Sequence, residues 1–284
     1  MLNSLIRSLT FTSGDGLYGY TRQSQWVREI IASATQPTLD ATQAFKFWVL
    51  TWNIDFMAPY IAERWKAALE HIEVLEQCPD ILLFQETDRD AFPVLRESTF
   101  VRENYLLSNI SPPTKSSYST LLLVSRALVE RCTSVSCARA PYGELTKMHR
   151  DCLYVDLDVA GHGRIRVAST HLESLQGFGT TARPKQLGFA ANLLRARGIA
   201  GGLVGGDMNC IGEAEADLPE RTGLVDAWTA VKGASFSESE GHTWGYQPPS
   251  KFPRRRMDKI LTVGQLRATS IERFGCGSVT MLDY

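Results

Sequence analysis

From Arg164 to Ser174 the chain reads Arg-Ile-Arg-Val-Ala-Ser-Thr-His-Leu-Glu-Ser. Ile165, Val167 and Ser169 alternate with Arg166, Ala168 and Thr170, the period of a β-strand with one face in a core. The strand runs into His171 and stops, and the C-terminal ends of strands are where open α/β sheets place ligands and catalytic groups. A single histidine at a strand end is more often structural than functional. Here three more apolar runs end in short polar groups. Phe47–Ile54 leads to Asn53, Asp80–Glu86 to Gln85 and Glu86, and Gly202–Asp207 to the Asp207/Asn209 pair.

Working outward, Cys152–Val159 alternates into Gly161-His162-Gly163, which predicts a hairpin whose second arm carries His171. Tyr118–Ser125 and Met257–Val263 read as further strands. Apolar residues at 61, 65, 69, 72 and 75 predict a covering helix stopped by Pro79. Leu187, Ala190, Ala191 and Leu194 share one face of a second helix, over 181–197, with Gly198 as its stop. Strands and helices interleave, but the hairpin-like pairs argue for mixed sheets, so the expected architecture is α/β, two packed sheets flanked by helices. Residues 1–44, rich in Ser, Thr, Gln and Gly, are expected to be a tail or linker. Within them Trp26, Val27, Ile30 and Ile31 predict one short amphipathic helix, and residues 45–284 are expected to form one catalytic domain.

Composition sets the class. With 44% hydrophobic and 21% charged residues the chain can bury a core, and disorder throughout is excluded. A net charge of -1 gives no global field for polyanions, so a phosphate-rich substrate would have to be met by local clusters and a metal. The six cysteines form no CxxC pair and no zinc spacing, which suits reduced thiols. No run approaches the roughly 18 apolar residues of a membrane span. The expectation is a soluble, monomeric intracellular protein of the nucleus or cytoplasm that does not engage membranes.

Phosphodiester hydrolysis needs a hard cation, a positioned water, and donors for the charge that grows on the phosphoryl oxygens. The four strand ends supply those residue types. Glu86 is the best metal ligand, a carboxylate after a buried strand where an unpaired charge would be costly; an exposed strand-end Glu is the bland alternative. Asn53 could equally cap the following helix. Arg254, Arg255 and Arg256, with Lys251, form the one basic cluster, either a solvated face or a phosphate contact.

Thr51-Trp52-Asn53, Gln85-Glu86, Thr170-His171-Leu172-Glu173-Ser174 and Gly206-Asp207-Met208-Asn209, in that order, resemble the endonuclease/exonuclease/phosphatase superfamily. The His-Leu-Glu-Ser form is narrower and resembles the tyrosyl-DNA phosphodiesterase 2 group, as do Arg183–Leu187, Gly223–Trp228, Thr243-Trp244 and Arg256–Ile260. The resemblance, over about residues 46–263, implies a four-layered α/β sandwich. It implies dependence on Mg²⁺, for which Mn²⁺ could stand in, and DNA 5′ ends carrying a tyrosyl adduct as substrate. It also implies roles: Glu86 on Mg²⁺ with Asn53 beside it, Asp207 and Asn209 orienting water, and His171 donating to a phosphoryl oxygen. Ser174 would contact phosphate, and Trp244 would line a DNA groove, though an ordinary core Trp reads equally well. Tyr118 matches the same groove.

Three positions depart from the group. Gln176 stands where it usually has Arg, and Cys210-Ile211 where it has Leu-Arg. The group closes on Ser-Asp-His, whereas this sequence ends Leu282-Asp283-Tyr284 and holds no Asp-His pair. The resemblance thus implies a chain that, as written, cuts phosphodiesters poorly or not at all. It would be either a truncated product or a silent relative that binds phosphorylated ligands. An endonuclease or inositol phosphatase of the same superfamily is the alternative within enzymes.

Overall fold

A computed structural model describes residues 16–32, 44–114, 116–233, 237–246 and 252–273. The chain begins with strands β1 (Leu17–Tyr20), β2 (Trp26–Glu29), β3 (Ile31–Ala32) and β4 (Val49–Asn53), then α1 (Ile61–Glu73), β5 (Ile81–Asp88), α2 (Ala91–Glu97) and α3 (Thr99–Asn104). Next come β6 (Tyr105–Leu107), β7 (Tyr118–Ser125), α4 (Arg126–Glu130), β8 (Ser134–Pro141), β9 (Asp151–Val159) and β10 (Gly163–His171). It continues with α5 (Phe178–Leu194), β11 (Ile199–Asp207), α6 (Leu218–Arg221), β12 (Val225–Asp226), α7 (Ala227–Lys232) and β13 (Asp258–Gly264).

β5 is continuously apolar from Ile81 to Phe84 because both its faces are covered. Ile81 and Leu83 enter the core between two sheets, while Leu82 and Phe84 enter a second core beneath α1–α3. β7 divides its leucines in the same way. A third core lies on the far side, where Ala168 and Val204 meet Leu187, Ala190, Ala191 and Leu194 of α5. Helices, a six-stranded sheet (β2-β1-β6-β7-β5-β4), a seven-stranded sheet (β12-β13-β11-β10-β9-β8-β3) and α5 therefore stack as four layers, the expected α/β sandwich of two mixed sheets. Packing outweighs local strain where the two conflict. α1 starts on Tyr60 at φ 61 without a side-chain cap, a cost of about 1–3 kcal/mol, yet it buries Trp65, Leu69 and Ile72 at about 1.5–3 kcal/mol each.

One expectation needs correction. Trp26 to Ile31 form no helix: β1 and β2 pair as a hairpin on the edge of the six-stranded sheet, and β3 pairs with β8 in the other. Residues 17–32 of the expected tail thus join both sheets, and as strands they pack Trp26 and Ile31 against the cores. From Ile165 onward both faces of β10 are buried. Arg166 is buried under α5, where it meets Asp156 in a two-pronged ion pair (2.6 and 2.7 Å) and donates to the Leu193 carbonyl. Among the described residues no helix is long and apolar enough to cross a membrane, and Cys78, Cys132, Cys137, Cys152 and Cys210 are free thiols.

Candidate active site

Pairing registers bring the polar strand ends to one rim. β4 and β5 run parallel with Asn53 beside Gln85, β10 and β11 run parallel with His171 beside Asp207, and antiparallel β13 sets Asp258 opposite Asp207. The last turn of β11 needs glycine. A Cβ on Gly206 (φ +146) would lie 1.8 Å from the Thr170 carbonyl oxygen, and one on Gly205 would meet Leu83 across the sheets at 2.7 Å. Only there can β11 approach β10 closely enough to align Asp207 with His171.

The expectation that β5 ends at Glu86 is refined. The strand runs to Asp88, and its pairing with β7 slips between Phe84 and Thr87, where Glu86 adopts φ +60. This bulge turns Glu86 out toward the rim. Gln85 anchors it: wholly buried, its amide donates to Thr51, to the Leu83 carbonyl and, across the sheets, to Ser169.

At the rim one Asn53 amide donates to both Glu86 Oε1 and Asp207 Oδ2, each at 3.0 Å. Glu86 Oε2 accepts the Phe56 backbone N–H at 3.0 Å, and Asp207 Oδ1 accepts that of Asn209 at 2.8 Å. Burial pushes both carboxyls above the ordinary range, and the hydrogen bonds pull against it. Asp258 is pushed up to about 7 by burial and by the charges of Asp207 and Glu86, and its Oδ1 has no hydrogen-bond partner among the described residues.

The sign of the resulting pH effect follows. An unfolded Asp loses its proton near pH 3.9, whereas folded Asp258 keeps its proton to about 7, so stability falls as pH rises through that window. Asp258→Asn, unfolded in denaturant with EDTA present, should flatten this decline and exceed the wild type in stability at pH 8. An unchanged pH profile would show that Asp258 does not carry the proton.

His171 is buried, with Nε2 at 3.7 Å from Glu86 Oε1 and 3.6 Å from Asp207 Oδ2. Burial, then the nearby Arg150, hold its pKa well below the usual value, so the imidazole is neutral; Nδ1 has no partner among the described residues. Arg150, just ahead of β9, is also buried. It donates to the Leu172 carbonyl, to the Tyr118 hydroxyl at 2.9 Å and to Ser174 Oγ at 3.3 Å. The Tyr118 ring lies 6.0 Å from that of His171. The rim thus sets three acidic groups and a neutral imidazole beside a guanidinium and two hydroxyls.

Seven of the eight residues picked from the sequence lie in this network: Asn53, Glu86, Tyr118, His171, Ser174, Asp207 and Asn209. Asn209, at φ +48, acts through others, donating from its side chain to the Leu172 carbonyl. Trp244 stands apart. It is 37% exposed and bridges to Arg255, so it is no core residue, and it adjoins Thr243, whose hydroxyl accepts the Asp258 N–H at 3.0 Å. Of the basic cluster, Arg256 is committed to Asp226 at 2.7 Å and Arg254 lies over the Tyr246 ring, while Lys251 and the chain's last residues lie outside the described residues. Arg150 and Phe56 were not anticipated. The only available signal was a basic residue immediately before an alternating strand.

The donor set fits a hard cation. Glu86 and Asp207 present carboxylate oxygens whose mutual charge no contacting Lys or Arg side chain among the described residues neutralises. Among the described residues no three His, Cys, Asp or Glu side chains form a ready-made cage. Mg²⁺ does not require one, because it commonly keeps several waters and binds through one or two carboxylates plus substrate phosphate.

A 5′-tyrosyl-DNA phosphodiesterase of Caenorhabditis elegans is 29% identical over 244 residues, 83% of this chain and 62% of that protein, so the chain spans less than two thirds of that relative's length. The crystal structure of TDP2 from C. elegans matches with a TM-score of 0.61 at 25% identity, covering 78% of this chain and 66% of that one. D. rerio TDP2, crystallised with single-strand DNA product, shares the fold with a TM-score of 0.58 at 18% identity, covering 77% and 84%. The family description "Endonuclease/Exonuclease/phosphatase family" matches residues 50–279, a span from β4 to beyond β13 that includes all eight candidate residues and every strand that meets at the rim. The chain therefore belongs to the endonuclease/exonuclease/phosphatase family.

Proposed function

We propose that this chain is a Mg²⁺-dependent phosphodiesterase whose substrate is the 5′-tyrosyl bond on DNA. One observation carries the chemistry: the buried Asp207 carboxyl and the half-buried Glu86 carboxyl share the Asn53 amide, with a neutral His171 and the Arg150 guanidinium beside them. The likeness to the C. elegans 5′-tyrosyl-DNA phosphodiesterase supports the choice of substrate. Glu86 and Asn53 would hold the cation, with Asp207 next to it, and when bound it would neutralise phosphate charge and polarise the phosphoryl group.

The chain's own groups divide the rest. Asp207, steadied by the Asn209 N–H, orients the attacking water. As the water oxygen bonds to phosphorus and the bond to the tyrosyl oxygen breaks, His171 donates its one N–H to a phosphoryl oxygen that gains charge. Arg150 and Ser174 hold the other side of the phosphate, and Trp244 and Tyr118 offer rings against bases of the strand. The family's endonuclease-like and inositol-phosphatase-like chemistries are the competitors.

Purified chain given a 5′-phosphotyrosyl oligonucleotide, an abasic duplex and an inositol phosphate, with Mg²⁺ or EDTA, tests this. Tyrosine release only with Mg²⁺, and preference for the first substrate, are expected; preference for either of the others would reassign the substrate. His171→Ala should lower turnover by roughly 10²-fold while leaving affinity for the 5′-phosphoryl product nearly intact. If affinity falls and turnover of bound substrate does not, His171 is a binding residue.

A further inference from the structure

The loop from Asp55 to Tyr60 is apolar, exposed and tightly held. Met57 is 81% exposed and Tyr60 60%, in a chain whose other apolar side chains largely fill three cores. Asp55 (φ 60) and Tyr60 (φ 61) both take the left-handed conformation, a strain that persists only where surroundings over-determine it. They do so here. The Asp55 N–H donates to Asn53 Oδ1, the Met57 N–H to Asp55 Oδ1, and the Arg64 guanidinium donates to the Ile54 and Asp55 carbonyls. The loop is therefore pinned to the residue that bridges Glu86 and Asp207.

Phe56 joins this loop to the site twice. Its N–H lies on Glu86 Oε2, and its ring sits 4.4 Å from that of Tyr118, whose hydroxyl is held by Arg150. We propose that Phe56 and Met57 form, with Tyr118, an apolar shelf that packs a planar ring carried on the phosphate bound between Glu86 and Arg150. This deepens the phosphodiesterase reading and rests on it. The occupant follows from continuity with the site: a ring held there must belong to the group esterified to that phosphate. Such a ring has two sources, the 5′-terminal nucleobase and the aromatic leaving group. Both give the same stacking chemistry. The exposed Met57 beside Phe56 tolerates rings of differing shape.

Binding separates the two sources without requiring turnover. The probes, titrated in Mg²⁺ by calorimetry, are 5′-phosphoryl-dT4, the same oligonucleotide with an abasic first residue, and phenylphosphonate. Phe56→Ala and Met57→Ala should each weaken at least one ring-bearing probe by roughly tenfold and leave the abasic probe unchanged. Loss on 5′-phosphoryl-dT4 alone assigns the shelf to the base; loss on phenylphosphonate alone assigns it to the leaving group. Unchanged affinity for both ring-bearing probes, in both variants, overturns the proposal, as does equal loss on the abasic probe. Met57 is so exposed that its truncation cannot unfold the chain. If wild-type chain binds these probes but cleaves no phosphodiester, the catalytic reading fails and the shelf stands.

Discussion

Glu86→Gln is expected to lower Mg²⁺-dependent phosphodiester hydrolysis on the order of 10³-fold or more, while the fold survives. The side chain keeps its size, but its two partners are both donors, the Asn53 amide and the Phe56 N–H. A carboxylate satisfies both. An amide offers one oxygen and sets its NH₂ against the other donor, so it loses the charge that attracts a cation and the geometry that aims it. A metal's electrostatic contribution to a phosphoryl transition state is worth several kcal/mol, and each 1.4 kcal/mol is tenfold in rate. Stability should move the other way. Burial already raises the Glu86 pKa, so removing that charge relieves a desolvation penalty in metal-free protein. Thermal unfolding reads both effects: Mg²⁺ should raise the wild-type midpoint, since a ligand of the native state alone stabilises it, and should leave the variant's unmoved. A variant that still responds to Mg²⁺ would take Glu86 out of the site.

Arg150→Met should be nearly as damaging, with kcat/KM reduced by about 10³-fold, the lower end of what a guanidinium contributes at a transferring phosphoryl group. It tests a residue found only in the fold. Arg150 touches Leu172, Tyr118 and Ser174, so its loss releases the tyrosine and the serine together. Leaving their polar groups unmatched costs roughly 1–3 kcal/mol of stability. A purely structural arginine would show that cost alone. A second readout separates the cases: Arg150 helps to hold the His171 pKa down, so the variant's imidazole should titrate higher, toward the ordinary value near 6.5. Arg150→Lys keeps charge but not the fork; it should restore the low His171 pKa and little of the rate.

The rim was largely legible in the sequence because its parts end apolar runs. Asn53, Glu86, His171 and Asp207 each come at the end of a strongly apolar run within a strand, and β7 occupies the same residues, 118–125, that the pattern marked. What failed depended on distant partners. Trp26, Val27, Ile30 and Ile31 keep a helical spacing, yet β1 pairs with β6 and β3 with β8, segments many tens of residues away that local pattern cannot anticipate. β8, Ser-Val-Ser-Cys-Ala-Arg-Ala-Pro, carries too few large apolar residues to stand out, and it is a strand because β9 holds it. Arg150 lies in the polar run from Lys147 to Asp151, which reads as a solvated loop. Only the hairpin of β9 and β10 carries it to Leu172. Phe56 is a loop residue, and its N–H meets Glu86 because β5 bulges at that point.

Tyrosine release from a 5′-phosphotyrosyl oligonucleotide, followed in single turnover with protein in excess, tests the central claim most directly because it keeps even a slow site visible. The account predicts release that requires Mg²⁺, stops with EDTA and is slowed on the order of 10³-fold or more in Glu86→Gln. Release that is indifferent to EDTA, or that is undiminished in Glu86→Gln, would contradict it, as would no release at all from wild-type chain shown to bind the 5′-phosphoryl product.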